Sequence, residues 1–288
     1  MTTTNRPASR HPILVLGGTG KTGSRVAAAL RARGADVRVA SRSTEVPFDW
    51  SDESTWDRVL DGVRAVYLVP LDGAEAGPAF VRRAVAAGVE RIVLLSARGV
   101  DTPGYFAADD PATRARLDLE AAVRGAGPAW TILRPGWFAQ NFSEGLFRDG
   151  IRAGELVLPT GTAAVSFVDT EDIGAVAAAA LLDPGHDGET YELSGPRAVT
   201  FDAALTEIAA AGGLRADYVA ADPDEYAAAL IAQGVPEVEV AMWTSALGSI
   251  HRGLEAAISD GVPRALGRPA RDFTEFVRSA APTGAWTP

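Results

Sequence analysis

Apolar runs and amphipathic segments alternate along the first half of the chain. The mostly apolar runs that predict buried strands are 13–16, 36–40, 64–69, 91–95 and 130–133. The segments between them that predict helices are 24–33, 52–60, 77–87 and 112–124. Strands that alternate regularly with helices pack as a parallel sheet covered on both faces. The pattern therefore predicts an α/β fold with a doubly wound parallel sheet of the Rossmann-like kind.

The alternation loosens in the second half of the chain. Short strands are predicted at 156–158, 164–168 and 189–193, and an alanine-rich helix at 170–182. From Phe201 on the pattern is mostly helical, with a break near 214–219. We expect a loose tail at 1–11, a nucleotide-binding domain at 12–150, and a smaller, mostly helical substrate-binding lobe at 151–288, partly interleaved with the sheet.

A glycine loop follows the first strand directly. Gly18, Gly20 and Gly23 satisfy G-x-G-x-x-G at a strand-to-helix turn, which is the context that a dinucleotide-binding fingerprint requires. The helix N-terminus then offers free N–H groups to a pyrophosphate. A P-loop is excluded, because that motif needs a glycine where Val15 stands. The alternative is an ordinary glycine-rich turn.

The end of the second strand decides which dinucleotide is expected. Folds specific for NAD place a carboxylate there, whereas this chain has Ser41, Arg42 and Ser43. An arginine pairs well with a 2′-phosphate, so the sequence predicts NADP(H). Asp49 is a candidate partner of the adenine amino group, and Trp50 either packs beside the adenine or belongs to the core. The alternative is that Arg42 is an ordinary solvent-exposed loop residue.

Composition excludes several classes of protein. The chain of 288 residues has no cysteine, and its three histidines are scattered, so no metal site is predicted. A formal net charge of −10 disfavours nucleic acid as a partner. The apolar runs are too short to cross a bilayer, and the N-terminus does not read as a signal peptide. We expect a cytoplasmic monomer or homodimer with a small-molecule substrate.

Later segments supply candidates for the reaction itself. Ser96 follows the fourth strand, at the sheet edge where open α/β sheets bind ligands. Trp137 and Asn141, with Phe138 and Phe142, form an aromatic segment that we expect to line a pocket near the nicotinamide. Core packing is an equally good interpretation for one or two of these aromatic residues.

The sequence resembles the atypical short-chain dehydrogenase/reductases, and within them the NmrA-like group. The segments that carry the resemblance are 17–23, 94–96, 131–138 with Asn141, and 168–173. Segments 39–43, 47–50 and 66–70 look most like the ergot-alkaloid reductases of the agroclavine dehydrogenase and festuclavine synthase type. With the resemblance included, the residues expected to bind the cofactor are Gly17, Gly18, Thr19, Gly20, Lys21, Thr22, Gly23, Ser41, Arg42, Ser43, Asp49, Trp50, Val69, Pro70, Ser96, Arg116 and Pro135.

The chain departs from the superfamily at one important place. The resemblance implies a Tyr-x-x-x-Lys pair on the helix after the serine-bearing strand, but Ala112 and Arg116 occupy these positions when the helix is aligned on Glu120. Arg116 remains a candidate for the nicotinamide ribose, but guanidinium is a poor proton donor. Tyr105 lies upstream, outside that helix. The residues expected to act on the substrate or beside it are Ser96, Arg116, Trp137 and Asn141.

Three functions are compatible with the missing tyrosine. The first is an NADPH-dependent reductase of a small molecule, possible without a tyrosine where the substrate is an iminium ion, because its carbon is already electrophilic. The second is a non-catalytic NADP-sensing regulator, which the NmrA-like resemblance also implies. The third is an isomerase or cyclase that retains its cofactor. Turnover of NADPH with a panel of imines and enones separates the first function from the second.

Overall fold

A computed structural model of the protein describes residues 11–71, 76–212 and 214–287. Residues 1–10 of the predicted tail lie outside these ranges. The strands are β1 (Ile13–Leu16), β2 (Val37–Ala40), β3 (Ala65–Leu68), β4 (Arg91–Leu95), β5 (Ala129–Pro135), β6 (Glu155–Leu158), β7 (Ala164–Val165), β8 (Glu189–Leu193), β9 (Val199–Thr200) and β10 (Asp217–Ala220). The helices are α1 (Lys21–Ala32), α2 (Trp56–Leu60), α3 (Gly77–Ala86), α4 (Pro111–Gly125), α5 (Asn141–Glu144), α6 (Arg148–Ala153), α7 (Thr170–Leu182), α8 (Phe201–Ala210), α9 (Pro223–Ala232), α10 (Glu237–His251), α11 (Gly261–Leu266) and α12 (Phe273–Ala280).

The main sheet confirms the predicted α/β class. Its strand order is β2-β1-β3-β4-β5-β8, and the pairings of β1 with β2 and β3, of β3 with β4 and of β4 with β5 are parallel. The chain runs from β1 to one side of the sheet for β2 and to the other side for β3. The switch point between β1 and β3 is where open α/β sheets bind their ligands.

The chain divides into two compact units. The first comprises Met1–Ala97, Pro111–Arg134 and Glu171–Tyr191, and the second comprises Arg98–Asp110, Pro135–Thr170 and Glu192–Pro288. The predicted boundary at residue 150 lies inside the second unit. The assignment of nucleotide and substrate binding to separate domains stays a prediction.

The core of the first unit follows from the period-two pattern of its strands. Leu14 and Leu16 are buried in one cluster with residues of α2, α3 and α4. Ile13 and Val15 alternate with them and are also buried, so they face the opposite side of the sheet. A strand that is apolar on both faces needs helices on both faces, which explains the uninterrupted apolar run.

Helix α1 pairs with α7 inside this first unit. A Cβ atom on Gly174 would lie only 2.8 Å from the Cβ of Arg25, so the two helices approach closely at that glycine. Arg25 also bonds Glu171, and Arg33 holds Asp183 through two hydrogen bonds of 2.6 and 2.9 Å. These contacts explain why a helix far along the chain returns to the first unit.

The core of the second unit is largely aromatic. Phe142 is fully buried there, with ring centroids 5.0–5.8 Å from four other phenylalanines. The four are Phe147, Phe167, Phe201 and Phe273. β6 pairs in parallel with β10, and β7 pairs antiparallel with β9. In the described ranges no helix combines the length and apolar character that a membrane span requires.

Candidate functional site

The glycine loop after β1 has a backbone that side chains would not permit. Gly17 adopts a φ of +60°, a left-handed conformation that favours glycine. A Cβ atom on Gly18 would overlap the side chain of Val39, and one on Gly23 would overlap the carbonyl group of Gly17. These glycines therefore let the loop turn tightly and let α1 pack against the end of β1.

Helix α1 begins at Lys21, three residues before the predicted start at Ser24. The second half of the glycine motif, predicted as loop, forms the first helical turn instead. Gly20 is the N-cap and supplies no capping side chain, and the first turn carries no carboxylate. A helix start of this kind presents backbone N–H groups and a partial positive charge to an anion. The loop therefore fits the pyrophosphate of a dinucleotide.

The end of β3 lies beside this loop. A Cβ atom on Gly17 would lie 3.5 Å from the Cβ of Val69, in ordinary contact. Val69 and Pro70 are half-buried at the carboxyl end of β3, next to β1 in the sheet. The structure thus brings two of the predicted cofactor segments, 17–23 and 69–70, to the switch point of the sheet.

The loop after β2 is organised by a residue that sequence reasoning did not select. The Thr44 hydroxyl accepts a hydrogen bond from the Ser41 amide at 2.9 Å and lies 2.9 Å from the carbonyl oxygens of both Ser41 and Val46. Phe48 closes the loop by donating its amide proton to the Ser41 carbonyl at 3.1 Å. Arg42 and Ser43 are exposed in this loop, and their recognition of a 2′-phosphate stays a prediction.

Asp49 and Trp50 have structural contacts of their own. Asp49 Oδ1 accepts hydrogen bonds from the amide and the hydroxyl of Ser51, and these bonds lower the pKa of Asp49. The Trp50 ring makes edge contacts with Phe48 at 5.0 Å and Phe80 at 5.4 Å between centroids. Trp50 is thus part of an aromatic cluster, half-buried at its edge, and its adenine contact stays a prediction.

Ser96 belongs to a buried polar network. Its hydroxyl donates a hydrogen bond of 2.6 Å to Glu120, a carboxylate with no exposed surface. Arg134 donates to both oxygens of the same carboxylate, at 2.9 and 2.7 Å, and Arg124 approaches it at 2.9 Å. Burial alone raises the pKa of Glu120, but the hydrogen bonds from Arg134 and Ser96 outweigh burial and hold the pKa below its usual range.

Helix α4 carries Glu120 and two further positions of interest. Ala112, at the position of the expected tyrosine, is buried with 7% exposure. Arg116 is half-buried one turn before Glu120. Helix α4 has the sequence PATRARLDLEAAVRG and so contains no tyrosine. Helix α4 of the first unit therefore lacks the Tyr-x-x-x-Lys pair that the resemblance implies.

The remaining candidates lie in the second unit. Trp137 is half-buried and stacks on Phe147, with centroids 5.9 Å apart and planes inclined by 20°. Asn141 is half-buried at the start of α5, and Pro135 is buried at the end of β5. Phe142 is a core residue, which settles one of the aromatic positions in favour of packing.

Tyr105 is enclosed in the second unit beside two charged residues. Its ring fills the space over Gly99, and its hydroxyl donates a long bond of 3.4 Å to the Leu254 carbonyl. Burial, and then the charge of Glu255, raise the pKa of Tyr105 far above its usual range. Arg98 and Glu255 are 6% and 3% exposed, and neither was selected from the sequence.

Two signals in the sequence point to the residues that were missed. Glu120 and Arg124 are four residues apart on one helix, the spacing of an ion pair on one helix face. Threonine near the end of a strand is a frequent local hydrogen-bonding partner in turns, which fits Thr44. Nothing local marks Arg98 or Glu255. Among the described residues no group of three or more histidine, cysteine or acidic residues has the arrangement of a metal site.

Comparisons with known proteins agree with this geometry. A family model described as NAD(P)H-binding matches residues 17–184. The (4-alkanoyl-5-oxo-2,5-dihydrofuran-3-yl)methyl phosphate reductase of Streptomyces griseus is 35% identical over 92% of this chain and 96% of its own. Agroclavine dehydrogenase of Claviceps fusiformis is 32% identical over 92% of this chain and 96% of its own, which confirms the predicted resemblance. The Citrobacter triphenylmethane reductase complexed with NADP(H) has a similar fold, with a TM-score of 0.78 at 22% identity over 93% of this chain and 99% of that one.

Proposed function

We propose that this chain prefers NADPH and reduces an iminium ion or another activated double bond. The chain belongs to the NAD(P)H-binding family. It is an NAD(P)H-dependent oxidoreductase of the NmrA-like, atypical short-chain dehydrogenase/reductase type. The observation that carries the proposal is the buried Ala112 on α4, where the resemblance implies a tyrosine that protonates substrate oxygen. The substrate is then one whose reduction needs no proton from that position.

An iminium ion meets this condition for a simple chemical reason. The dinucleotide, when bound, supplies a hydride. The iminium carbon is already electrophilic, so hydride addition moves the C=N pair of electrons onto nitrogen and gives a neutral amine. The chain's part is to hold the two reactants in line and keep water away. Ser96, Trp137 and Asn141 are the residues that we assign to substrate placement, and Arg116 to the nicotinamide ribose.

The preference for NADPH is supported by the loop after β2. Arg42 and Ser43 are exposed at its tip, and the Thr44 hydrogen bonds fix the backbone that presents them. Within 41–47 the one carboxylate is Glu45, which is exposed. A 2′-phosphate gains a charge-assisted pair with Arg42, which the uncharged ribose hydroxyls of NADH cannot form.

The names of two relatives support the proposed substrate class. One is a reductase of a dihydrofuranone that carries an alkanoyl group, and the other is a dehydrogenase of agroclavine. The first substrate contains an activated double bond. We carry over to this chain the type of acceptor and leave the individual compound open.

The test is turnover of NADPH by the purified chain. We expect NADPH to be oxidised in the presence of a cyclic iminium ion such as dihydroisoquinolinium, and in the presence of cyclohexenone as an activated alkene. The loss of NADPH absorbance measures this oxidation. A simple ketone such as cyclohexanone serves as the matched control, because its reduction needs a proton on oxygen. Turnover of the ketone at a rate equal to that of the iminium ion, or binding of NADPH without oxidation by any probe, would contradict the proposal.

A further inference from the structure

The direction of the Ser96 hydrogen bond is fixed by its partner. Ser96 Oγ lies 2.6 Å from Glu120 Oε1. An ionised carboxylate has no proton to give, so the serine hydroxyl is the donor. Ser96 has a single hydroxyl proton, and this proton is therefore committed to Glu120.

Glu120 is held in its charged form by its surroundings. Two guanidinium groups, of Arg134 and Arg124, reach its oxygens at 2.7–2.9 Å, and the carboxylate has no exposed surface. The hydrogen bonds and positive charges of these arginines favour the ionised form of Glu120 over the protonated form. The low pKa of Glu120 agrees with this arrangement.

The backbone of Ser96 is fixed as well. Its amide donates a hydrogen bond of 2.7 Å to the Leu133 carbonyl on β5, so the residue continues the sheet pairing beyond β4. With its amide and hydroxyl protons both used, Ser96 retains only the lone pairs of its oxygen for a ligand. The residue as a whole is 7% exposed, and the bond between its hydroxyl and Glu120 is buried.

From this geometry we infer that Ser96 is a hydrogen-bond acceptor toward the substrate and that Glu120 is the positioning residue which fixes this polarity. The inference rests on the proposed function and extends it to substrate choice. The site selects a substrate that carries an N–H donor next to the carbon that receives the hydride. A carbonyl oxygen at the same place would face a lone pair of Ser96 Oγ with no proton between the two oxygens, and the two oxygens would repel each other.

Substrate selection then follows from charge and protons alone. In a protonated iminium ion the N–H donates to Ser96 Oγ while hydride adds to the adjacent carbon. The C=N pair of electrons moves to nitrogen, the N–H bond remains, and the dinucleotide leaves in its oxidised form. No proton passes through Ser96 or Glu120, which explains how the site works without the tyrosine.

The experiment compares two iminium ions of equal charge, dihydroisoquinolinium with its N–H and the N-methyl derivative without it. We expect wild type to favour the N–H form in kcat/KM by about 10-fold or more, the value of a hydrogen bond to a charged group. Ser96→Ala should bring this ratio close to one, and the protein should fold because Arg134 still satisfies Glu120. Glu120→Gln should also lower the ratio, since the amide nitrogen then competes for the Ser96 oxygen.

Two matched variants separate polarity from general damage. Ser54→Ala removes an exposed serine that donates to Asp52 at the same 2.6 Å, and Glu90→Gln changes an exposed carboxylate paired with Arg64. Both should leave the ratio unchanged. A structural defect lowers turnover of both ions together and leaves the ratio intact, so a ratio in Ser96→Ala equal to that of wild type would overturn the inference.

A binding measurement keeps the inference testable if neither ion is reduced. Calorimetry in the presence of NADP⁺ compares tetrahydroisoquinolinium, which has N–H donors, with its N,N-dimethyl derivative. Tighter binding of the N–H form by wild type, lost in Ser96→Ala, supports the inference even where the proposed reduction fails. Equal affinities of wild type for the two ammonium ions would overturn it, and reduction of both iminium ions at equal rates would overturn it while leaving the proposed function in place.

Discussion

Gly23 lies directly against the carbonyl group of Gly17, closer than any side chain would allow. This contact joins the first turn of α1 to the loop that leaves β1. Gly20, between them, donates its amide proton to the same Gly17 carbonyl at 2.9 Å. The two glycines therefore affect the protein differently when they are replaced, one through packing and the other through access of a ligand to the helix start.

Gly20→Val should weaken NADPH binding at least 10-fold, about 1.4 kcal/mol, with little change in stability. A Cβ atom on Gly20 would meet only the Gly17 carbonyl oxygen, at 3.2 Å. The valine side chain would stand where we propose that the pyrophosphate approaches the helix start. Gly23→Ala should lower both the NADPH affinity and the melting temperature, because its Cβ overlaps the backbone. Calorimetric titration and thermal unfolding measure the two effects.

Gly125→Ala is the control for both glycine variants. Gly125 ends α4, and nothing lies within 4 Å of the Cβ that alanine would add. Alanine there should leave the NADPH affinity unchanged. If Gly20→Val also leaves the NADPH affinity unchanged, the pyrophosphate does not bind at this loop.

Arg42→Ala should remove most of the preference for NADPH over NADH. A charge-assisted hydrogen bond of about 1.5–3 kcal/mol gives NADPH an advantage of about 10- to 100-fold, and NADH makes no such bond. The dissociation constants of both dinucleotides are to be measured at one salt concentration, since salt screens the pair. Arg82→Ala, at another exposed arginine of the first unit, should keep the preference. Equal binding of NADH and NADPH by wild type would refute this interpretation of the loop.

Tyr105→Phe should leave kcat nearly unchanged and lower stability by about 1 kcal/mol through the lost hydroxyl bond to Leu254. A tyrosine whose pKa is raised far above its usual value is a weak acid at neutral pH. Loss of a true general acid would cost about 10²–10⁴-fold in rate. Steady-state kinetics on an accepted substrate decide between these outcomes. Tyr226→Phe, at a half-buried tyrosine of the same unit, is the comparison.

Asp272→Asn should destabilise the second unit at neutral pH by about 1 kcal/mol. The effect is this small because solvent screens the partly exposed ion pair of Asp272 with Arg197. Asp272 caps α12 and receives two hydrogen bonds from Arg197, at 2.7 and 2.9 Å, which lower the pKa of Asp272. Asparagine keeps the cap and loses the charge.

The pH dependence gives the same prediction a second test. Because the folded-state pKa of Asp272 is depressed, its contribution is complete above about pH 4, the pKa of an unfolded aspartate, and is lost as the pH falls below that value. Urea midpoints of wild type and Asp272→Asn should therefore differ at pH 7 and converge in acid. Asp149→Asn, at an exposed ion pair with Arg148, should show no difference. A gap that stays constant in acid would exclude the ion pair as its cause.

The sequence alone determined the features whose causes are local. The strand β4, the helix α7 and the strand β8 have the predicted bounds, since each is an apolar or alternating run ended by its own turn residues. The glycine motif predicted the tight turn between β1 and α1, because backbone conformation depends on adjacent residues. The start of α1 was wrong by three residues, because a glycine motif looks like loop until the helix that it caps is seen.

Tertiary structure decided the features that join distant parts of the chain. Ser96 and Glu120 are 24 residues apart, and only the packing of α4 beside β4 and β5 brings the carboxylate to the serine. The same packing buries Glu120 with Arg134, and the hydrogen bonds from Arg134 keep that carboxylate ionised and therefore an acceptor. Sequence named Ser96 as a candidate, but the direction of its hydrogen bond depends on a partner that no local pattern specifies.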